Sequence, residues 1–96
     1  MNYNRLNDIL QLISDHTSFL ILIHNKPDGD ALGSGTALAL FLKKLGKESA
    51  VLSPCPVQKR LEFIQSPSVC YFEGYDAFEA SGFSYDFIIS VDVASD

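Results

Sequence analysis

Phe19-Leu20-Ile21-Leu22-Ile23 is an unbroken apolar run between Thr17-Ser18 and the polar stretch that starts at His24. It is far shorter than the roughly 18 residues of a membrane span. It also shows no alternation of apolar with polar residues. A strand that is apolar at every position is covered on both faces, which is the situation of a central strand in a parallel sheet. Asp86-Phe87-Ile88-Ile89-Ser90-Val91-Asp92 reads as a second strand of the same buried kind. Parallel strands cannot be joined by tight hairpins and need crossover connections, usually helical. The two runs therefore point to an α/β fold.

The intervening pattern agrees with that requirement. Leu6, Ile9, Leu10 and Ile13 recur at helical spacing, so residues 2–15 are expected to form an amphipathic helix with one face on the sheet. His16 follows, placed as a cation near that helix's C-terminus. Ala31, Leu38, Leu42 and Leu45 define a helix over 31–45, stopped by the left-handed residue Gly46. Ser34, Gly35, Ala37 and Ala39 keep its first half slim. That lets the helix lie close to the sheet, or lets a ligand come close to its backbone. Residues 48–53 read as a strand, and Pro54-Cys55-Pro56 breaks regular structure after it. Val57, Leu61 and Ile64 mark a brief helix, Val69 to Phe72 a short strand, and residues 73–82 a turn with about one helical turn. The alternation predicts a Rossmann-like, mostly parallel sheet flanked by helices.

Ninety-six residues with 47% apolar side chains suffice for one modest core. The net charge of −5 excludes the basic footprint of a protein that grips duplex DNA by its phosphates. Cys55 and Cys70 lack metal-site spacing and read as reduced thiols. No signal-peptide pattern opens the chain and no membrane span is present, so a cytoplasmic location is expected.

The chemistry concentrates where the first strand turns into its helix. His24, Asp28 and Asp30 fall within seven residues, and Asp92 ends the last strand. In open α/β sheets, ligands bind at the carboxyl ends of the strands. Neighbouring strands lie about 4.8 Å apart, so tips that are neighbours can bring these four residues into one pocket. Clustered carboxylates repel unless cations separate them. Imidazole with carboxylate suits Mn²⁺, Fe²⁺ or Zn²⁺. The competing account of Asp28 and Asp30 is turn chemistry, with Asp30 placed to cap the following helix.

The string His24-Asn25-Lys26-Pro27-Asp28-Gly29-Asp30-Ala31-Leu32-Gly33-Ser34 resembles the first motif of the DHH phosphoesterases, His-x-x-x-Asp-x-Asp-Ala-x-Gly-Ser. Phe87-Ile88-Ile89-Ser90-Val91-Asp92 resembles the second motif, a hydrophobic strand ending in aspartate. The family includes RecJ-type exonucleases, nano-RNases that also dephosphorylate pAp, cyclic dinucleotide phosphodiesterases and some pyrophosphatases. The resemblance implies a manganese-dependent site, with Mg²⁺ or Co²⁺ as substitutes, that hydrolyses phosphodiester or phosphomonoester bonds of short oligonucleotides or pAp-like nucleotides. It implies that His24 and Asp28 bind one ion, Asp30 the other, and that Asp92 bridges both. Paired divalent ions supply an activated water and a clamp for phosphate oxygens.

The family's Asp-His-His motif, its fourth aspartate motif and its glycine-rich substrate-binding domain are not among these residues. On the resemblance, residues 1–96 are the N-terminal portion of such an enzyme. They are expected to bind metal weakly, to hydrolyse nothing alone, and to expose apolar surface that favours a homo-oligomer. Tyr71, Phe72 and Tyr75 are a core cluster or a platform for a base, and Asp86 and Asp96 read as solvated. Gly29, Gly33 and Gly35 suggest an alternative, a nucleotide-binding or regulatory module without hydrolysis. Their spacing is not the G-x-G-x-x-G of a dinucleotide loop.

Overall fold

A computed structural model describes residues 3–23 and 28–91. Helix α1 (Tyr3–Asp15) leads into strand β1 (Ser18–Ile23), followed by α2 (Gly29–Lys44) and β2 (Glu48–Ser53). A 3₁₀ segment (Lys59–Ile64), β3 (Cys70–Glu73), α3 (Tyr75–Ser81) and β4 (Phe87–Val91) complete the order. All strand pairs are parallel and the sheet order is β3-β2-β1-β4. The chain thus builds outward from β1 through β2 to β3, then returns to the other side of β1 to lay down β4. That reversal sits between β1 and β4. The α/β class with a parallel sheet flanked by helices is as the apolar runs required, and β1 is central. Among the described residues, no helix is long and apolar enough to cross a membrane.

Register sorts the side chains by face. Phe19, Ile21 and Ile23 of β1 align with Phe87, Ile89 and Val91 of β4, and Ile21 aligns with Val51 of β2. These residues pack with Ala31, Leu32, Ala39 and Leu42 of α2 and with Leu61 of the 3₁₀ segment. Phe19, Ile21, Ile23, Leu32, Leu42 and Val51 are almost fully buried. Each large one among them contributes about 1.5–3 kcal/mol of transfer free energy. On the opposite face, Phe72 of β3 meets Phe78 of α3 edge to face at 5.6 Å, and Phe83 joins them. Leu20, Ala50 and Leu52 are buried on that second face as well.

The end of α2 follows from its sequence. Gly46 takes φ +78°, which an L side chain adopts only with strain, and donates to the Lys43 carbonyl, while the Lys47 N–H reaches back to Leu42 O. The small residues of α2 divide between two neighbours. Gly35 and Ala39 are buried, and a Cβ on Gly35 would meet Val51, Ile21 and Ile23 at 3.6–3.8 Å. Gly29 and Gly33 face Ile64 instead. Gly33 and Gly35 lie within the helix, so these glycines form no phosphate-binding loop ahead of it.

Two expectations require correction. β4 is not buried on both faces: it is an edge strand among the described residues, with Phe87, Ile89 and Val91 half-buried and Ile88 46% exposed. α1 forms, but its apolar stripe is only partly covered. Ile13 packs on the core, whereas Ile9 and Leu10 remain 47% and 49% exposed. The physical reason is the same for both. Among the described residues no strand lies beyond β4, and between α1 and that edge is a groove of about 390 Å³ lined by Ile9, Leu12, Phe19, Phe87 and Ile88 among others. α3 is also longer than one turn, running seven residues to the left-handed Gly82.

Candidate metal centre

β1 and β4 are adjacent, and their last residues, Ile23 and Val91, are paired. In the sequence His24 follows the first directly and Asp92 follows the second. Both His24 and Asp92 lie outside the described residues. Asp28 and Asp30 are described, and both are exposed at the start of α2.

Asp28 is the N-cap of α2. Its backbone is extended, and its Oδ1 accepts a hydrogen bond from the Ala31 N–H at 2.8 Å. Its carbonyl accepts the Leu32 N–H at 2.9 Å. The cap is therefore Asp28, not Asp30 as the turn account had it. Asp28 is the extended residue before Gly29, the first helical one, and Asp30 then falls in the first turn. Both carboxylates sit at the positive end of the helix, where negative charge is favoured. The cap occupies one oxygen of Asp28 and fixes the position of the other.

The neighbouring strand tips are held by their own bonds. Ser53, buried at the end of β2, donates its hydroxyl to the Cys55 carbonyl at 2.9 Å. Glu73, at the end of β3, accepts the Val57 N–H on Oε2 at 2.7 Å. Glu73 was not singled out in the sequence, where it reads as the start of a turn, and the structure makes it the last residue of β3. Among the described residues, no three His, Cys, Asp or Glu side chains converge to hold a metal ion.

Other side chains have structural partners. His16 places Nδ1 2.6 Å from the Leu12 carbonyl and its ring edge-on to Phe87 at 4.7 Å, which fits its position at the end of α1. Asp86 is not merely solvated: it accepts the Ser18 N–H at 3.1 Å and the Thr17 N–H at 3.3 Å. The Ser18 bond above all, with the Thr17 bond and the nearby His16, holds its carboxyl below the usual range. Tyr71, Phe72 and Tyr75 form no common platform. Tyr71 bonds Thr36 at 2.7 Å and the Ser66 N–H at 2.9 Å, Phe72 points to the other face of the sheet, and Tyr75 is exposed. Adjacent strand residues face opposite ways. Both cysteines are free, and burial pushes the Cys70 thiol up, which disfavours a nucleophilic thiolate.

What the described arrangement offers chemically is two carboxylates at a helix start, Asp28 held by its cap bond and Asp30 exposed in the first turn, beside the reversal point of an open parallel sheet. Comparison with family models, curated proteins and solved structures finds no match for the chain.

Proposed function

We propose that this chain carries the metal-binding edge of a DHH-type phosphoesterase acting on short oligonucleotides or pAp-like nucleotides. The supporting observation is the strand order β3-β2-β1-β4 with Ile23 paired to Val91. Open parallel sheets take ligands at such a reversal, and the sequence supplies His24 and Asp92 directly after those paired residues. The start of α2 adds Asp28 and Asp30.

One imidazole and three carboxylates are a donor set for Mn²⁺, with Mg²⁺ or Co²⁺ as substitutes. On this reading His24, Asp28 and Asp92 hold one ion, and Asp30 and Asp92 the other. Bound there, such ions acidify water and neutralise phosphate charge. The chain's own part is positional. The Asp28 cap fixes the helix start, and the β1–β4 pairing fixes the two strand ends that lead into His24 and Asp92.

Isothermal titration separates this reading from that of a nucleotide-binding module. The chain is expected to bind Mn²⁺, with Asp30→Ala and Asp92→Ala each weakening binding by about tenfold, the scale of losing one charged ligand contact. NAD should give no heat. Heat from NAD with none from Mn²⁺ would reverse the assignment. The 96 residues contain only two histidines, His16 and His24, so the further histidine ligand of the resemblance is not supplied. Mn²⁺-dependent cleavage of bis(p-nitrophenyl) phosphate by this chain is accordingly not expected.

A further inference from the structure

Helix α2 is apolar on more than one side. Ala31, Leu32, Gly35, Ala39 and Leu42 are buried against the body of the protein. Yet Leu40, Phe41 and Leu45 point outward, Phe41 being 46% and Leu45 47% exposed. A helix that is apolar all round is normally covered all round. Along the outward side run Asp30, Ser34, Ala37, Phe41 and Lys44, spaced alternately four and three residues apart and all exposed. That spacing keeps them on one face.

The stripe is graded along its length. Its N-terminal half is small and acidic: Asp30, Ser34, Ala37. Its C-terminal half is large and basic, with Leu40, Phe41 and Leu45 beside Lys43 and Lys44 of the last turn. Large residues fit over small ones, and acids over bases, only if the stripe meets itself running the opposite way.

We propose that two copies of this chain pack through α2, antiparallel about a twofold axis near Ala37. A twofold interface makes each contact twice. Here Ala37 meets its own equivalent, Phe41 of each copy covers Ser34 of the other, and Lys44 faces Asp30 at the rim. Antiparallel packing also sets the negative end of one helix beside the positive end of the other. An open groove of about 620 Å³ beside the stripe, lined by Ala37, Leu40, Phe41, Lys43, Lys44 and Ser68, leaves room for the side chains of a packed helix. The interface is independent of the metal reading, because its centre is Ala37 and Phe41, and Asp30 lies only at its edge.

Sedimentation of the chain across the micromolar range tests this. Wild type should sediment as a concentration-dependent dimer, and Phe41→Glu should raise the dissociation constant by about thirtyfold, the scale of losing a central aromatic anchor. Circular dichroism checks that the exposed substitution leaves the fold intact. A second experiment fixes the register. In a Cys55→Ser, Cys70→Ser background, Ala37→Cys should oxidise to a disulfide-linked dimer, whereas Leu45→Cys, far from the axis, should not. A monomer at all concentrations, a dimer that Phe41→Glu leaves intact, or cross-linking through position 45 and not 37 would overturn the proposal. The first of these would assign the stripe to a different occupant.

Discussion

The Asp28 carboxylate accepts the Ala31 N–H at 2.8 Å, and on the metal reading the same side chain is a ligand. Substitution separates the two roles. Asp28→Ala removes the cap and should cost about 1 kcal/mol in urea denaturation. Asp28→Ser keeps a capping oxygen and should retain most of that stability while losing the charge needed for Mn²⁺. Asp86 gives a second test at this scale. Its carboxyl is depressed in the folded protein by the Ser18 and Thr17 bonds and by His16. A depressed acid stabilises the fold above its unfolded pKa, about 3.9, and that contribution is lost as pH falls through the folded value. Wild type should therefore be more stable than Asp86→Asn at neutral pH, and the difference in urea midpoint should shrink below about pH 4. Nothing in the sequence near Asp86 reveals this role, because its partners are 68 and 69 residues away.

Among the elements, α2 and β1 were the most legible. A fully apolar five-residue run can be satisfied only by cover on both sides, and Gly46 marks a helix stop whatever surrounds it. β4 has nearly the same composition as β1 and yet sits at an edge, with Ile88 half-exposed. Composition reports what a strand can bury, whereas strand order decides what is available to bury it. The same limit applies to α1, whose periodic stripe is covered at Ile13 but exposed at Ile9 and Leu10. Of the site, the start of α2 was readable from Asp28-Gly29-Asp30. Which carboxylate caps it was not, since Asp28 and Asp30 are both sound capping residues and only the backbone at Asp28 chooses between them. Gly35 supports a prediction here. An alanine Cβ would touch Val51, Ile21 and Ile23 at ordinary contact distances of 3.6–3.8 Å, and alanine favours a helix interior over glycine by about 1 kcal/mol. Gly35→Ala should therefore raise the thermal midpoint. A marked drop would mean that α2 packs tighter on the sheet than these distances allow.

For the whole molecule, the parallel order β3-β2-β1-β4 reverses between β1 and β4. The amino ends of the strands, near Gly46 and Gly82, lie at the opposite side of the sheet from the start of α2. This polarity makes the metal reading directly testable. The decisive measurement is a titration of Mn²⁺ into isotope-labelled chain, following paramagnetic loss of backbone amide signals. Gly29, Asp30, Ala31 and Val91 should fade first, Gly46 and Gly82 should hold their intensity, and Asp30→Ala should move the same selective fading to about tenfold higher Mn²⁺, the scale of losing one ligand contact. Uniform fading along the chain, or fading centred on the amino ends of the strands, would contradict the account.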